Sequence, residues 1–278
     1  MCADERKKGT NIQYRVVFSD IDGTLLNSKH QVTPDTRLEI LSLEQRGIPF
    51  ILVSARMPDG ILTIQNQIGN HAPIICYSGA LIWGTNGEIL YSCQMNLDLA
   101  VEVKNVLDKE FPNICCNTYG HNKWIVDDDK NPWVRSEETI TGIKSKIGNI
   151  EEAFAENKGI HKFLLMGDPK DILILEKRLK QDYPDLHVAK STEYYLEVME
   201  KHVRKSKAVR ILCDYYGYSM DEAIVFGDGH NDIDMLKDIK NSYAMANAPK
   251  EVQDSAAYVT LDNDHEGLLV VLKKCFEL

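Results

Sequence analysis

Arg15-Val16-Val17-Phe18-Ser19-Asp20-Ile21-Asp22-Gly23-Thr24-Leu25-Leu26 begins as a run of β-formers and breaks into two carboxylates one residue apart, followed by Gly-Thr. The apolar run reads as a strand buried in a parallel sheet. Such a strand delivers Asp20 and Asp22 to the carboxyl edge of the sheet, where open α/β folds place their ligands. Two carboxylates this close repel each other and resist burial, so a positive partner is expected between them. A hard divalent cation, Mg2+, suits that place. The plainer reading is an Asp-Gly turn with both acids solvated. What separates the two is whether the rest of the chain supplies the other parts of a site.

Downstream, Thr33-Pro34 caps a helix and Leu38, Leu41 and Ile48 follow near helical spacing, with Gly47 as the stop. The apolar strand Ile48 to Val53 then ends in Ser54-Ala55-Arg56. A helix through Ile61, Leu62, Gln65 and Ile68 stops at Gly69, and a third strand from Pro73 to Tyr77 ends in Ser78-Gly79-Ala80. This alternation predicts a parallel sheet covered by helices. Asn86-Gly87 between Leu81–Trp83 and Ile89–Tyr91 is a hairpin signal.

From there to Glu200 the pattern is mixed α+β, and from Val203 the α/β alternation resumes. The expected organisation is a discontinuous core, residues 1–85 and 200–278, with an α+β unit at 86–199 inserted into it. The returning half contains the strand Ala223 to Phe226, which runs into Gly227-Asp228-Gly229-His230-Asn231-Asp232. Asp228 thus stands where Asp20 stands, directly after an apolar strand. Asp20, Asp22 and Asp228 together offer a magnesium ion two carboxylate oxygens and one backbone carbonyl, leaving room for waters and a phosphate. A phosphoryl group also needs a cation, and Lys201, Arg204, Lys205 and Lys207 all compete for that role near the start of the helix after Val203.

The bulk numbers are those of an ordinary soluble globular protein: 278 residues, 44% apolar and 27% charged. The net charge of −10 argues against a nucleic-acid partner. No long apolar run or leader-like start is present, so no membrane association and a cytoplasmic location are expected. Seven scattered cysteines without a Cys-x-x-Cys pair read as reduced thiols, most of them in the core. The chain contains no Gly-x4-Gly-Lys-Ser/Thr loop or Gly-x-Ser-x-Gly elbow.

Taken together, the motifs resemble the haloacid dehalogenase superfamily of phosphotransferases, and within it the Cof-like phosphatases with a class IIB cap. Asp20-Ile21-Asp22-Gly23-Thr24 is similar to the first motif, Ser54-Ala55-Arg56 to the second with Ala55 in place of a glycine, Lys205-Ser206-Lys207-Ala208-Val209 to the third, and Gly227-Asp228-Gly229-His230-Asn231-Asp232 to the fourth. Ser78 stands where the family usually has Asn.

The resemblance implies a Rossmann-like parallel-sheet core with an inserted cap and Mg2+-dependent hydrolysis of small phosphate monoesters. It makes Asp20 the nucleophile and Asp22 the acid/base. Asp20, Asp22 and Asp228 become the metal ligands, and Ile21, Asp22, Ser54, Ala55, Lys205 and Asn231 the phosphate contacts. Asp232 is implied to orient Lys205 or a metal-bound water. It selects Lys205 among the competing cations. Two rivals share these residues: a phosphosugar mutase and a non-catalytic phospho-ligand sensor. Tyr119, His121, Trp124, Tyr194 and Tyr195 are candidate cap contacts, although aromatics at strand spacing more often pack a core.

Overall fold

A computed structural model describes residues 14–276. The first half of the core runs β1 (Val16–Asp20), α1 (Pro34–Gln45), β2 (Phe50–Val53), α2 (Pro58–Ile68) and β3 (Ile74–Cys76), with the three strands parallel. The hairpin β4 (Leu81–Trp83) and β5 (Ile89–Ser92) adds antiparallel strands to the same sheet. The large sheet therefore extends along the chain to Ser92.

A second unit follows: β6 (Met95–Asn96), α3 (Leu97–Glu110), β7 (Cys115–Gly120), β8 (Lys123–Val126), α4 (Pro132–Thr141), β9 (Lys146–Ile147), α5 (Ile150–Phe154), β10 (Gly159–Ile160), β11 (Lys162–Met166), α6 (Pro169–Asp182), β12 (Leu186–Lys190) and β13 (Tyr195–Glu200). Its main sheet is six-stranded and ordered β12-β13-β11-β7-β8-β9. The chain then returns through α7 (Lys205–Tyr216), β14 (Ala223–Gly227), α8 (Ile233–Asp238), β15 (Ser242–Ala244), α9 (Lys250–Gln253), β16 (Tyr258–Val259) and α10 (Gly267–Phe276). No described helix is long and apolar enough to cross a membrane.

The large sheet has eight strands in the order β16-β15-β14-β1-β2-β3-β4-β5. Alternate residues of its central strands feed two apolar layers, as the period of two requires. Val17, Phe50, Leu52 and Ile224 pack with α1, α2 and α10, while Val16, Phe18, Ile51 and Val225 pack with α7, α8 and α9. The helices after β1 and β14 thus leave neighbouring strands towards opposite faces. Loops that diverge this way open a crevice at the carboxyl edge, and that crevice holds Asp20 and Asp228.

Local signals explain the helix ends. The Thr33 hydroxyl accepts from the Thr36 amide at 3.3 Å, and α2 and α7 stop at left-handed Gly69 and Gly217. One face was misjudged: α1 buries Thr36, Ile40 and Leu43, while Leu38 is 62% exposed. Ile40 and Leu43 are themselves three residues apart, so the leucine count alone did not fix which stripe faced inward.

The two units meet at a buried histidine. His161 accepts from the His121 amide through Nδ1 at 3.0 Å, and its Nε2 lies 3.0 Å from the Ser92 hydroxyl. Tyr77 of the core stacks on the ring at 5.1 Å between centroids. With Nδ1 accepting, the ring is neutral and carries its proton on Nε2. Burial pushes its pKa down to about 3, with a smaller push from His121.

The unfolded chain protonates this side chain near pH 6.5, so stability falls as pH drops from about 6.5 towards 3, by about 1.4 kcal/mol per unit from this group. Urea unfolding between pH 4 and 6 should show that slope, and His161→Asn should flatten it by about that amount. Equal slopes would remove His161 as its source.

Candidate active site

Asp20 is the last residue of β1 and is 7% exposed. The ladder sets it opposite Val53 of β2, immediately before Ser54, and sets Ser19 opposite Phe226 of β14, two residues before Asp228. Parallel pairing thereby brings three strand ends distant in the chain to one place. Lys205 begins α7 and is fully buried. Its ammonium donates to Asp20 Oδ1 at 2.6 Å and Asp232 Oδ1 at 2.5 Å. Asp232 Oδ2 accepts from the Asp228 and Gly229 amides at 3.0 and 2.8 Å. Asp232 is thus occupied on both oxygens and fixes Lys205 and the turn after β14. Thr24 Oγ1 donates to Asp228 Oδ1 at 2.6 Å, and Asn247 Nδ2 donates to the Gly23 carbonyl at 2.8 Å.

Three carboxylates cluster here, and among the described residues one ammonium touches two of them, Asp20 and Asp232. Oxygens of Asp20, Asp228 and Asp232 lie within 4.8 Å of one another. Burial raises the Asp20 carboxyl well above its ordinary range; Lys205 opposes this, and Asp232 and Asp228 add to it. Burial likewise lifts Asp228 to about 6, opposed by the Thr24 hydrogen bond. For Lys205 burial works against the charge, but the pull of Asp20 and Asp232 wins and its pKa is raised. The cluster is short of positive charge, and its donors are all hard oxygens. A divalent cation of the magnesium kind fits that deficit.

The Asp22 carboxylate lies apart from this group. Arg56 grips it with two hydrogen bonds, Nε at 2.9 Å and Nη2 at 2.6 Å.

Gly23 links the two acids to the crevice at φ +78°, and a Cβ there would sit 2.2 Å from Asp228 Oδ2. Gly23→Ala is therefore expected to cost about 1–2 kcal/mol from the backbone alone, and to displace Asp228. Thermal melting with and without Mg2+ checks this: the variant should melt lower and lose most of any stabilisation that Mg2+ gives the parent.

A cavity of about 750 Å³ opens over these residues. Of the residues expected from sequence, Asp20, Asp22, Ser54, Ala55, Lys205, Asn231 and Asp228 line it, as does Ser78. Ile21 does not; its side chain is fully buried in the core, which leaves only its backbone for any ligand. Among the competing cations, Lys207 is exposed over the Tyr91 ring, Lys201 pairs with Asp185, and Arg204 donates to the Lys201 and Val203 carbonyls. The aromatic candidates also divide. Tyr119, Trp124 and Tyr195 line a second cavity, His121 packs on His161, and Tyr194 is exposed.

Sequence reading missed Thr24 as a partner of Asp228, Arg56 as the clamp on Asp22, and Lys162 and Glu197 in the cavity wall. Lys162 had a signal: it is a lysine opening the apolar strand Lys162-Phe163-Leu164-Leu165-Met166.

The profile of one family, described as haloacid dehalogenase-like hydrolase, matches residues 17–272. A Haemophilus influenzae protein named "Putative phosphatase" is 38% identical over 265 residues, 95% of this chain and 99% of its own length. Among solved structures, TM0651 from Thermotoga maritima superposes with a TM-score of 0.86 at 27% identity, covering 94% of this chain and 97% of its own. A haloacid dehalogenase-like hydrolase from Bacteroides thetaiotaomicron gives 0.85 at 25% identity, covering 95% and 100%. With the acid-lined crevice between β1 and β14 and a match along nearly the whole described chain, the protein belongs to the haloacid dehalogenase-like hydrolases.

Proposed function

We propose that this protein is a Mg2+-dependent phosphatase that hydrolyses small phosphate monoesters through an aspartyl phosphate on Asp20. The observation that carries the reading is the placement of Asp20: a buried carboxylate at a strand end, 2.6 Å from a buried lysine, facing a cavity beside Asp228. Asp20 Oδ attacks phosphorus as the bond to the leaving oxygen breaks, and Asp22 gives that oxygen its proton. Asp22 then takes a proton from water, whose oxygen bonds to phosphorus as the Asp20–phosphorus bond breaks. Inorganic phosphate and the free carboxylate result.

Arg56 occupies two of the roughly four lone-pair positions of Asp22 and leaves the others for the proton. Lys205, Ser54, Asn231 and the backbone amides of Ile21, Asp22 and Ala55 would hold the phosphoryl oxygens, with Asp232 keeping Lys205 in place. Asp20, Asp228 and the Asp22 carbonyl would hold Mg2+, which when bound offsets negative charge between nucleophile and phosphate. The inserted unit, the cap of this reading, would exclude water and read the leaving group.

Phosphate release from p-nitrophenyl phosphate tests the proposal. Turnover should require Mg2+ and stop on chelation. A protein inert towards this and a panel of phosphorylated metabolites, with Mg2+ present, would leave only a binding role.

A further inference from the structure

The second cavity, about 250 Å³, adjoins the first beneath the six-stranded sheet. Asp22, Ser54, Ala55 and Glu197 line both, whereas Asp20 lines only the larger. In an in-line displacement the leaving group departs opposite the nucleophile and beside the general acid. A chamber that touches Asp22 and not Asp20 has the placement a leaving group needs.

Its wall is polar and aromatic in a particular way. Tyr119 is only 6% exposed, yet its hydroxyl has no hydrogen-bond partner among the described residues. Trp124 stacks on Tyr119 at 5.4 Å and donates its N–H to Asn117, so it offers the cavity only its ring. Both cations are already engaged. Arg56 holds Asp22, and Lys162 donates to the Ala55 carbonyl at 3.0 Å with Glu197 3.7 Å away. Glu137 of α4, partly buried in the same wall, has no hydrogen bond or ion pair to its carboxylate among the described residues. Burial raises its pKa, with Lys162 and Arg56 opposing; once ionised it is a free acceptor that repels anions.

We propose that this chamber selects leaving groups that donate hydrogen bonds and carry no negative charge, with Glu137 and Tyr119 as specificity-determining residues. This rests on the phosphatase reading above. A hydroxyl or ammonium can satisfy the Glu137 carboxylate and the Tyr119 oxygen. A carboxylate or second phosphate meets an unpaired like charge in a confined space, which is discrimination by repulsion.

Three open-chain esters that differ only at C1 separate the possibilities: sorbitol 6-phosphate, its 1-amino-1-deoxy analogue and 6-phosphogluconate. The parent protein should prefer the first two over the third by about tenfold or more in kcat/KM, the lower end of what one unsatisfied buried group costs. Whichever of the first two ranks higher tells hydroxyl from amine, and either order supports the proposal. Glu137→Gln should shrink the preference, and Glu137→Lys should reverse it. Tyr119→Phe should raise KM for sorbitol 6-phosphate severalfold.

Equal kcat/KM for all three esters in the parent, or a preference unchanged in both Glu137 variants, would overturn the proposal while leaving the phosphatase reading intact. A parent inert towards these esters and p-nitrophenyl phosphate would overturn both.

Discussion

Asp20→Asn is expected to abolish phosphate release, lowering kcat by about ten-thousand-fold or more, while the folded protein stays close to the parent in stability. The two halves of this expectation have one cause. The Asp20 carboxylate is buried among Asp228, Asp232 and Lys205, and burial raises its pKa well above the ordinary range. A neutral amide of the same shape relieves that burden, and its oxygen can still accept from Lys205, so the fold loses little.

The amide has no comparable nucleophilic oxygen, so the chemistry loses its first step. Mass spectrometry of the quenched parent should show a phosphorylated Asp20, and the variant should show none. If Asp20→Asn retained a tenth of the parent's activity, or if phosphate attached elsewhere, the nucleophile would be another group. A large loss of stability alongside the lost activity would instead mean that Asp20 acts chiefly as the partner of Lys205.

How much of this was legible beforehand differs by part of the molecule, for physical reasons. Each core strand ends in its polar residues, and parallel pairing forces such ends onto one edge. Asp20, Ser54 and Asp228 could therefore be grouped from order alone, and they line one cavity. Lys205 could not be singled out that way. Lys201, Arg204 and Lys207 look equivalent in a basic run, and only the helix phase decides that Lys205 turns inward while Lys207 rests on Tyr91. Family likeness supplied that choice.

The inserted unit was less readable because its functional face is also its packing face. Alternate residues of β7 and β11 feed two different apolar clusters: Cys116, Phe163 and Leu165 pack under α3 and α6, whereas Cys115, Tyr119 and Leu164 face the core. Both sets are apolar, so the alternation gives no hint of which side meets a ligand. The polar exceptions, Lys162 and Glu197, carry that information. They pair with each other, and Lys162 alone also donates to the Ala55 carbonyl across units; such pairing is visible only in three dimensions. Arg56 was noticed as a guanidinium at a strand end, but its grip on Asp22 depends on the loop after β1 turning towards it.

Lys205→Met should be the most destabilising single change in the crevice, in contrast to the mild effect expected of Asp20→Asn. It removes the only ammonium among the described residues in hydrogen-bond contact with Asp20 and Asp232 and leaves two buried carboxylates facing each other. Removing one partner of a buried ion pair typically costs about 3–5 kcal/mol, because the remaining charge is uncompensated. In metal-free buffer, where no cation can stand in, denaturant unfolding should show a loss of that order. Lys207→Met, on an exposed side chain, should change stability by less than about 0.5 kcal/mol.

Activity should follow the same ranking. Lys205→Met should lose about a hundred-fold or more in kcat, the scale for deleting one preorganised donor to a developing negative charge, while Lys207→Met stays near the parent. The double variant Asp20→Asn with Lys205→Met discriminates further. If the lysine offsets buried negative charge, neutralising Asp20 should restore part of the lost stability, with a coupling of about 1–3 kcal/mol for groups in direct contact. Additive losses would mean that Lys205 contributes through its packed methylene chain instead, and the electrostatic account of the crevice would have to be abandoned.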